Sequence, residues 1–375
     1  MLGKNKNNKR LILLLLFLLL FSFSCSTAKV LPYDKIHVSS LHTPIEVSHL
    51  YTSGDWLVAR TERKGIIYVW SWDDLDKEPK VFNLHSKSRY VSVLAATLMA
   101  PCISVECDSV IVPGQERDWN PDTNEYIVFW DIDKDREVNR IELTDDLSCD
   151  EMSVSKNGVF VALGLYKFET QITRVAIISN YTDENFPTYT LSENYGAILG
   201  DIAVSEDGHY IAANKKIVDT KTGRIIPVQV PYGMSCSNAN TCFSPDSKRI
   251  FFAGDASDDI LCFEVDTGKF ICRLPYETKK PITFFHIIAI SEVLHRITSM
   301  DISPDGNYLA VSSFMKTEFP RKDNYKIYIY DLQTYKQLFC FNVRSTCIAF
   351  SPDSHYLASI CYGRKTIDIL KIDKN

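Results

Sequence analysis

The chain has 375 residues, of which 45% are hydrophobic and 23% are charged, and its formal net charge at pH 7 is -6. This composition is typical of a globular protein, and it disfavours an intrinsically disordered chain and a protein with many membrane spans. The acidic balance argues against a nucleic acid partner, because phosphate binding requires a basic face.

The first 24 residues have the layout of a signal peptide. Four basic residues precede an apolar run from Leu11 to Phe23 that is interrupted only by Ser22. This run is shorter than the roughly 20 residues that cross a bilayer core, although an uncleaved anchor that extends to Ala28 is an alternative. Removal of residues 1–24 takes away four positive charges and no acidic ones, which changes the net charge from -6 to -10.

A cysteine follows the apolar run directly. Ser22 and Ser24 are small residues that suit a signal peptidase, and the segment that ends at Cys25 resembles a bacterial lipoprotein signal. The resemblance implies that Cys25 is lipidated and that residues 25–35 tether the folded domain to a membrane. The alternative is ordinary secretion, with cleavage before Cys25 or after Ala28. Either reading predicts an exported protein in the periplasm or on the outer surface.

A four-residue turn signal recurs along the rest of the chain. Its copies are Ser155-Lys-Asn-Gly158, Ser205-Glu-Asp-Gly208, Ser244-Pro-Asp-Ser247, Ser303-Pro-Asp-Gly306 and Ser351-Pro-Asp-Ser354. Proline suits the second position of a type I turn, aspartate the third and glycine the fourth. The serines are 50, 39, 59 and 48 residues apart. This spacing is close to the roughly 40–50 residues of a propeller blade.

Each turn joins two short segments in which apolar and polar residues alternate as in a strand. A third such segment follows and ends in an acidic residue. Examples of the third run are Tyr126–Asp131 and Ile327–Asp331. A further turn such as Asp266-Thr-Gly268 leads to a fourth run. Four short strands in each unit predict an antiparallel blade.

Two earlier units lack the serine turn, at residues 47–84 and 94–143, and they bring the number of units to seven. The last unit stops after its third strand, at Asp373. Residues 35–39 alternate like a strand and precede the first unit. We therefore predict that this N-terminal strand completes the last blade and closes the ring, which removes exposed sheet edges. The predicted fold is an all-β, seven-bladed β-propeller of four-stranded antiparallel blades at residues 36–373.

Trp130-Asp131, its counterpart Tyr330-Asp331 and the Ser-Pro-Asp-Gly turns resemble those of the WD-repeat propeller family. The resemblance covers about residues 36–373 and implies that the chain is a protein-binding scaffold. Lactonase-like propellers share the Pro-Asp-Gly turn. A hydrolase with a metal or acid/base site at the central channel is therefore the alternative function.

Three long links between strands are candidates for a binding surface, since function is often carried by loops on a rigid scaffold. They are residues 110–124, 275–297 and 313–325, and the WD-repeat topology implies that all three lie on one face. Aromatic residues and arginines dominate the contact energies of interfaces. The predicted binding residues are Trp119, Arg117, Phe284, Phe285, Phe314, Phe319 and Arg321. Alternatively, Phe284 and Phe285 do not bind a partner but pack against the propeller.

The chain carries no catalytic, phosphate-binding or dinucleotide-binding motif. Its eight histidines are scattered, so we predict no catalytic residue, metal ligand or cofactor. Five of the eleven cysteines are expected to be small buried apolar residues, namely Cys262, Cys272, Cys340, Cys347 and Cys361. The best disulfide candidates are Cys102 with Cys107 and then Cys236 with Cys242. We expect a monomer that binds a protein or peptide partner and contacts a membrane only through its N terminus.

Overall fold

The structure is a computed structural model. It describes residues 29–61, 66–83, 90–95, 102–107, 125–131, 136–143, 147–167, 172–179, 186–192, 201–232, 234, 240–253, 259–275, 294–318, 321–361 and 363–372. Within these ranges the protein is built from 29 strands, and its single helix, α1 (Tyr33–Ile36), has four residues. No helix in the described part of the chain is long and apolar enough to span a membrane.

The strands form seven sheets, numbered here in the chain order of their first strands, and five of these are simple four-stranded meanders. Sheet 1 contains β3 (His49–Ser53), β4 (Trp56–Arg60), β5 (Ile66–Ser71) and β6 (Lys80–Asn83). Sheet 2 contains β7 (Tyr90–Ala95), β8 (Cys102–Cys107), β9 (Glu125–Asp131) and β10 (Arg136–Leu143). Sheet 3 contains β11 (Leu147–Val154), β12 (Val161–Lys167), β13 (Ile172–Ile178) and β14 (Thr188–Ser192). Sheet 4 contains β15 (Ala203–Val204), β16 (Tyr210–Ala213), β17 (Lys216–Asp219) and β18 (Ile225–Pro227). Sheet 5 contains β19 (Asn240–Phe243), β20 (Arg249–Ala253), β21 (Asp259–Glu264) and β22 (Phe270–Pro275).

The other two sheets include strands from the N-terminal segment. Sheet 6 contains β23 (Leu294–Ile302), β24 (Tyr308–Glu318), β25 (Arg321–Asp331), β26 (Lys336–Phe341) and β1 (Lys29–Leu31). Sheet 7 contains β27 (Cys347–Phe350), β28 (Tyr356–Ile360), β29 (Thr366–Lys371) and β2 (His37–His42). The predicted pairing of an N-terminal strand with the last strand is present, since β2 runs antiparallel to β29.

Sheet 6 departs from the expected four antiparallel strands. The short strand β1 pairs in parallel with β26, with Val30 opposite Cys340. The segment at residues 25–35 was predicted to be a linker or tether, but its described part contains β1 and most of α1. Open backbone groups at a sheet edge pair readily with another strand, and the preceding chain supplies one here.

The five serine turns share one hydrogen-bonding pattern. In each, the serine hydroxyl donates to the side chain two residues later, at 2.5 to 2.7 Å. The same hydroxyl accepts the backbone N–H five residues later, at 2.9 to 3.0 Å. All five serines are buried, and the fourth residue of every turn has a φ between 57° and 72°. The repeated turn is therefore an internally bonded unit, which explains its fixed sequence.

The apolar core lies between neighbouring sheets. Ile250, Phe252 and Phe263 of sheet 5, for example, pack with residues of sheet 4, and Cys262 packs with Leu309 and Tyr330 of sheet 6. Sheets 6 and 7 share another cluster, and sheets 7 and 1 share a further one. The first strands of successive sheets also contact one another, and β27 of sheet 7 contacts β3 of sheet 1.

One predicted disulfide does not fit the fold. Cys102 and Cys107 are the two ends of strand β8. Five residues of extended strand separate their Cα atoms by about 17 Å, whereas a disulfide requires less than about 7 Å. The prediction of this disulfide was wrong, because it placed the two cysteines beside a turn, whereas they lie at opposite ends of one strand. Cys236 lies outside the described residues.

Candidate functional site

An extended hairpin distinguishes sheet 6 from the other sheets. Strands β24 and β25 each have eleven residues and stay paired from Tyr308 opposite Asp331 to Glu318 opposite Arg321. Within the described residues, the second and third strands of the other sheets have four to seven residues. At about 3.3 Å per residue, the hairpin extends roughly 13 Å further than the longest of these.

This hairpin corrects the prediction of a loop at residues 313–325. Its described residues continue the two strands, and only residues 319–320 at the tip lie outside the description. The sequence is rich in polar residues, as in Lys316-Thr-Glu318 and Arg321-Lys-Asp-Asn324, which resembles a loop. Backbone pairing between two strands does not require apolar side chains, so a paired strand can lack the apolar pattern that predicts one.

Phe314, Tyr325 and Arg344 form a cluster on this hairpin, called here the hairpin cluster. Phe314 and Tyr325 are directly opposite in the strand register, and their ring centroids are 4.8 Å apart at an interplanar angle of 36°. The guanidinium of Arg344, from the link between β26 and β27, lies 5.0 Å from the Tyr325 ring centroid. Both rings are half-buried and Arg344 is exposed. A cation over an aromatic ring is attracted by about 0.5–1 kcal/mol at such a site.

The structure describes two of the seven predicted binding residues. Phe314 lies in β24 and Arg321 is the first residue of β25. The other five lie outside the described residues; they are Trp119, Arg117, Phe284, Phe285 and Phe319. The sequence analysis missed Tyr325 and Arg344. Only the register of β24 and β25 reveals that Tyr325 faces Phe314.

A second group of polar residues links the first strands of several sheets. The ammonium of Lys156, in the turn between β11 and β12, lies 2.7 Å from Asp301 Oδ1 of β23 and also donates to the carbonyl of Ile302. The other carboxylate oxygen of Asp301 accepts the N–H of Phe350 at 2.7 Å. The N–H of Lys156 donates to Glu206 Oε2 at 2.9 Å. This group, called here the axial cluster, therefore connects sheets 3, 4, 6 and 7.

Two ionisable side chains near the first strands have strongly shifted pKa values. Burial raises the pKa of Asp201 to about 8, and the charge of Glu151 adds to this, although the N–H of Thr241 donates to Asp201 Oδ2 at 2.6 Å. Burial and the positive charge of Arg60 lower the pKa of His49 to about 3. At neutral pH the His49 ring is therefore neutral and the Asp201 carboxyl is largely protonated.

The shifted pKa of Asp201 predicts a pH dependence of stability. The folded-state pKa of about 8 lies above the ordinary value of 3.8 for an aspartate, so folding favours the protonated carboxyl. The contribution of this group to stability is complete below about pH 4 and is lost as the pH rises through about 8. Asp201→Asn cannot ionise, so its free energy of unfolding should increase relative to the wild type between pH 5 and pH 9. Urea unfolding of both proteins at pH 5, 7 and 9 measures this, and a difference independent of pH would contradict it.

Among the residues that the structure describes, no group of three or more histidine, cysteine, aspartate or glutamate side chains is arranged to hold a metal ion. Asp301 and Lys156 neutralise each other, and the serine-turn carboxylates accept hydrogen bonds within their own turns. The described polar clusters thus hold the sheets together. The hairpin cluster presents aromatic and cationic groups at the surface, as do Trp56 and Lys80 of sheet 1, where the ammonium of Lys80 lies 5.2 Å from the Trp56 ring centroid.

Comparison with known proteins gives one match to a repeat model and similarity in fold to solved structures. Residues 292–324, which include the Ser303 turn, match the family model "WD domain, G-beta repeat". The fold is similar to a chain in a crystal structure of the Mitotic Checkpoint Complex, with a TM-score of 0.58 and 14% identity over 90% of this chain and 96% of that chain. It is also similar to the Cps50 (Swd1) beta-propeller domain of Myceliophteria thermophila, with a TM-score of 0.59 and 13% identity over 90% of this chain and 99% of that domain. No curated protein matches the sequence. The chain is therefore a β-propeller, and its sixth sheet carries a WD-repeat match.

Proposed function

We propose that this protein is an exported, seven-bladed β-propeller that binds a protein or peptide partner and does not catalyse a reaction. The protein acts as a monomer. The partner binds to the face from which the β24–β25 hairpin extends. The WD-repeat match and the likeness to a chain of a multi-protein complex support a scaffolding role. The hairpin cluster is the observation that carries the proposed surface.

The proposed ring has one sheet in each of its seven blades. The cyclic contacts of the first strands support it, because each first strand contacts the next and β27 contacts β3. The pairing of β2 with β29 supports closure at the two ends of the chain. In such a ring the links between second and third strands and the links between successive blades open on one face. Phe314 and Tyr325 belong to the former kind of link and Arg344 to the latter.

The hairpin cluster has the chemistry of a protein contact site. Aromatic and arginine side chains carry a large share of the binding energy at interfaces, especially where neighbouring groups exclude water. Phe314 and Tyr325 hold each other in place across the hairpin, so little side-chain freedom is lost on binding. Arg344 is exposed above the Tyr325 ring and adds a cationic group to this surface.

Export is proposed from the sequence of residues 1–28, which lie outside the described residues. The basic residues, the apolar run and Cys25 support a lipoprotein or a secreted protein. The mass of the mature N terminus distinguishes these two forms. A lipidated Cys25 adds acyl chains, whereas simple cleavage leaves an unmodified N terminus, and an intact Met1 would contradict both.

The binding surface is tested by replacing both Phe314 and Tyr325 with alanine. We expect the recovery of cross-linked partners from extracts of the source cells to fall at least about tenfold, since two anchoring aromatics are removed. Quantitative mass spectrometry measures the recovery, with thermal unfolding as a check of folding. Val81→Ala is the matched control, because Val81 is an exposed apolar residue on the edge strand of sheet 1. Equal recovery with all three proteins would remove the hairpin from the proposed function.

A further inference from the structure

Two cysteines of sheet 5 face each other across neighbouring strands. Cys262 of β21 is the direct partner of Cys272 of β22 in the antiparallel register, and both are free thiols. Opposite residues in such a pair have Cα atoms about 4.5 or 5.5 Å apart. A disulfide spans Cα separations of about 4.4–6.8 Å. The backbone therefore already holds these two residues at a distance that a disulfide can bridge.

The two sulfur atoms have different reactivities. The interaction with Cys272, together with burial, raises the pKa of Cys262. The interaction with Cys262 lowers the pKa of Cys272; burial opposes this effect and the charge of Arg249 adds to it. Cys272 therefore ionises first. A thiolate is the nucleophile in thiol–disulfide exchange.

Solvent access favours the same order of reaction. Cys262 is fully buried, whereas Cys272 is partly exposed on the outermost strand of sheet 5. Its neighbour Ile271 is 40% exposed. A small reagent thus reaches Cys272 from solvent more readily than it reaches the fully buried Cys262.

We propose that Cys262 and Cys272 form a redox couple that closes to a cross-strand disulfide on contact with a small-molecule disulfide. The Cys272 thiolate attacks one sulfur of that oxidant, which breaks its S–S bond and releases the first thiolate. Cys262 then loses its proton and attacks the Cys272 sulfur of the mixed disulfide, which releases the second thiolate. The two protein thiols are oxidised and one disulfide is reduced to two thiols. This inference is independent of the proposed binding function.

Other cysteines near the couple lack its geometry. Cys242 and Cys340 pack against the same apolar core. In the strand register, however, Cys242 is opposite Phe251, and Cys340 is opposite Tyr328. The pairing of Cys262 with Cys272 is thus specific, and Cys340 provides a matched control.

The experiment oxidises the full chain with excess oxidised glutathione, blocks the remaining thiols with iodoacetamide and digests the protein with trypsin without reduction. Trypsin cleaves at Lys269, between the two cysteines, so the disulfide links two separate peptides. We expect these peptides to appear joined, lighter by two hydrogen atoms than the pair of free thiols, and to separate on reduction. Since the bridge closes a short loop, oxidation should also raise the midpoint of thermal unfolding by about 2–5 °C.

Two variants identify the order of the steps. Cys262→Ser should accumulate glutathione on Cys272, because the second thiol is missing, whereas Cys340→Ser should form the linked peptides as the wild type does. Carbamidomethylation of both Cys262 and Cys272 in the oxidised wild type would overturn the proposal. Linkage of either residue to Cys242 or Cys340 would also overturn it. The presence or absence of the linked peptides in the oxidised wild type tests the proposal even if a variant does not fold.

Discussion

Replacing Asp301 with alanine is expected to lower the free energy of unfolding by about 2–4 kcal/mol. The carboxylate accepts hydrogen bonds from Lys156 Nζ and from the N–H of Phe350, each at 2.7 Å. Its side chain is only 17% exposed, so its loss leaves a half-buried ammonium without its counter-charge and an amide without its acceptor. Urea unfolding at pH 7 measures the change.

Two controls separate this effect from a general effect of removing charge. Asp301→Asn retains an acceptor for the Phe350 N–H and loses only the charge, so it should destabilise the protein less than alanine does. Asp74 pairs with Lys77 at the same distance of 2.7 Å, but on the surface. Salt screens such exposed pairs, and we expect Asp74→Ala to be neutral within error. Equal losses for Asp301→Ala and Asp74→Ala would contradict the role of the axial cluster.

Gly268→Ala is expected to destabilise the protein by about 2–4 kcal/mol. Gly268 has a φ of +66°, a conformation that disfavours side chains. A Cβ at this position would lie 2.3 Å from the carbonyl oxygen of Pro227, a backbone atom at the end of β18. The N–H of Gln229 donates to the carbonyl of Gly268 at 2.8 Å, which holds the two sheets together at this point. The clash can therefore be relieved only by separating sheets 4 and 5.

Gly306→Ala is the matched control for this clash. Gly306 has a similar φ of +71°, but a Cβ there would lie 3.7 Å from the nearest atom, Pro245 Cδ. Only the backbone strain remains, and we expect a loss of about 1 kcal/mol. Urea unfolding of both variants gives the comparison. If the two losses were the same, the close approach at Gly268 would have no energetic role.

The hairpin of sheet 6 shows where local patterns mislead. Residues 313–325 alternate poorly and contain many charges, which predicts a loop, yet the described residues continue β24 and β25. Pairing between the two strands satisfies their backbone groups. The cysteines show the same limit, since Cys102 and Cys107 are near in sequence and far apart on one strand, whereas Cys262 and Cys272 are strand partners. Register is a property of two strands, and no single stretch of sequence contains it.

The sequence by itself determined the units of this protein: five serine turns, four strands in most sheets, and an N-terminal strand that pairs with the last one. These features follow from local chemistry, because the turn is closed by hydrogen bonds within six residues and short apolar runs between turns favour strands. Only the tertiary structure decided which distant groups meet. Lys156 reaches Asp301 because the sheets pack side by side, whereas Phe314 meets Tyr325 because their two strands pair in register. Arg344, from the link to the next sheet, lies over the Tyr325 ring. Contacts between sheets depend on the position of whole strands in space, and that position is set by the packing of the complete chain.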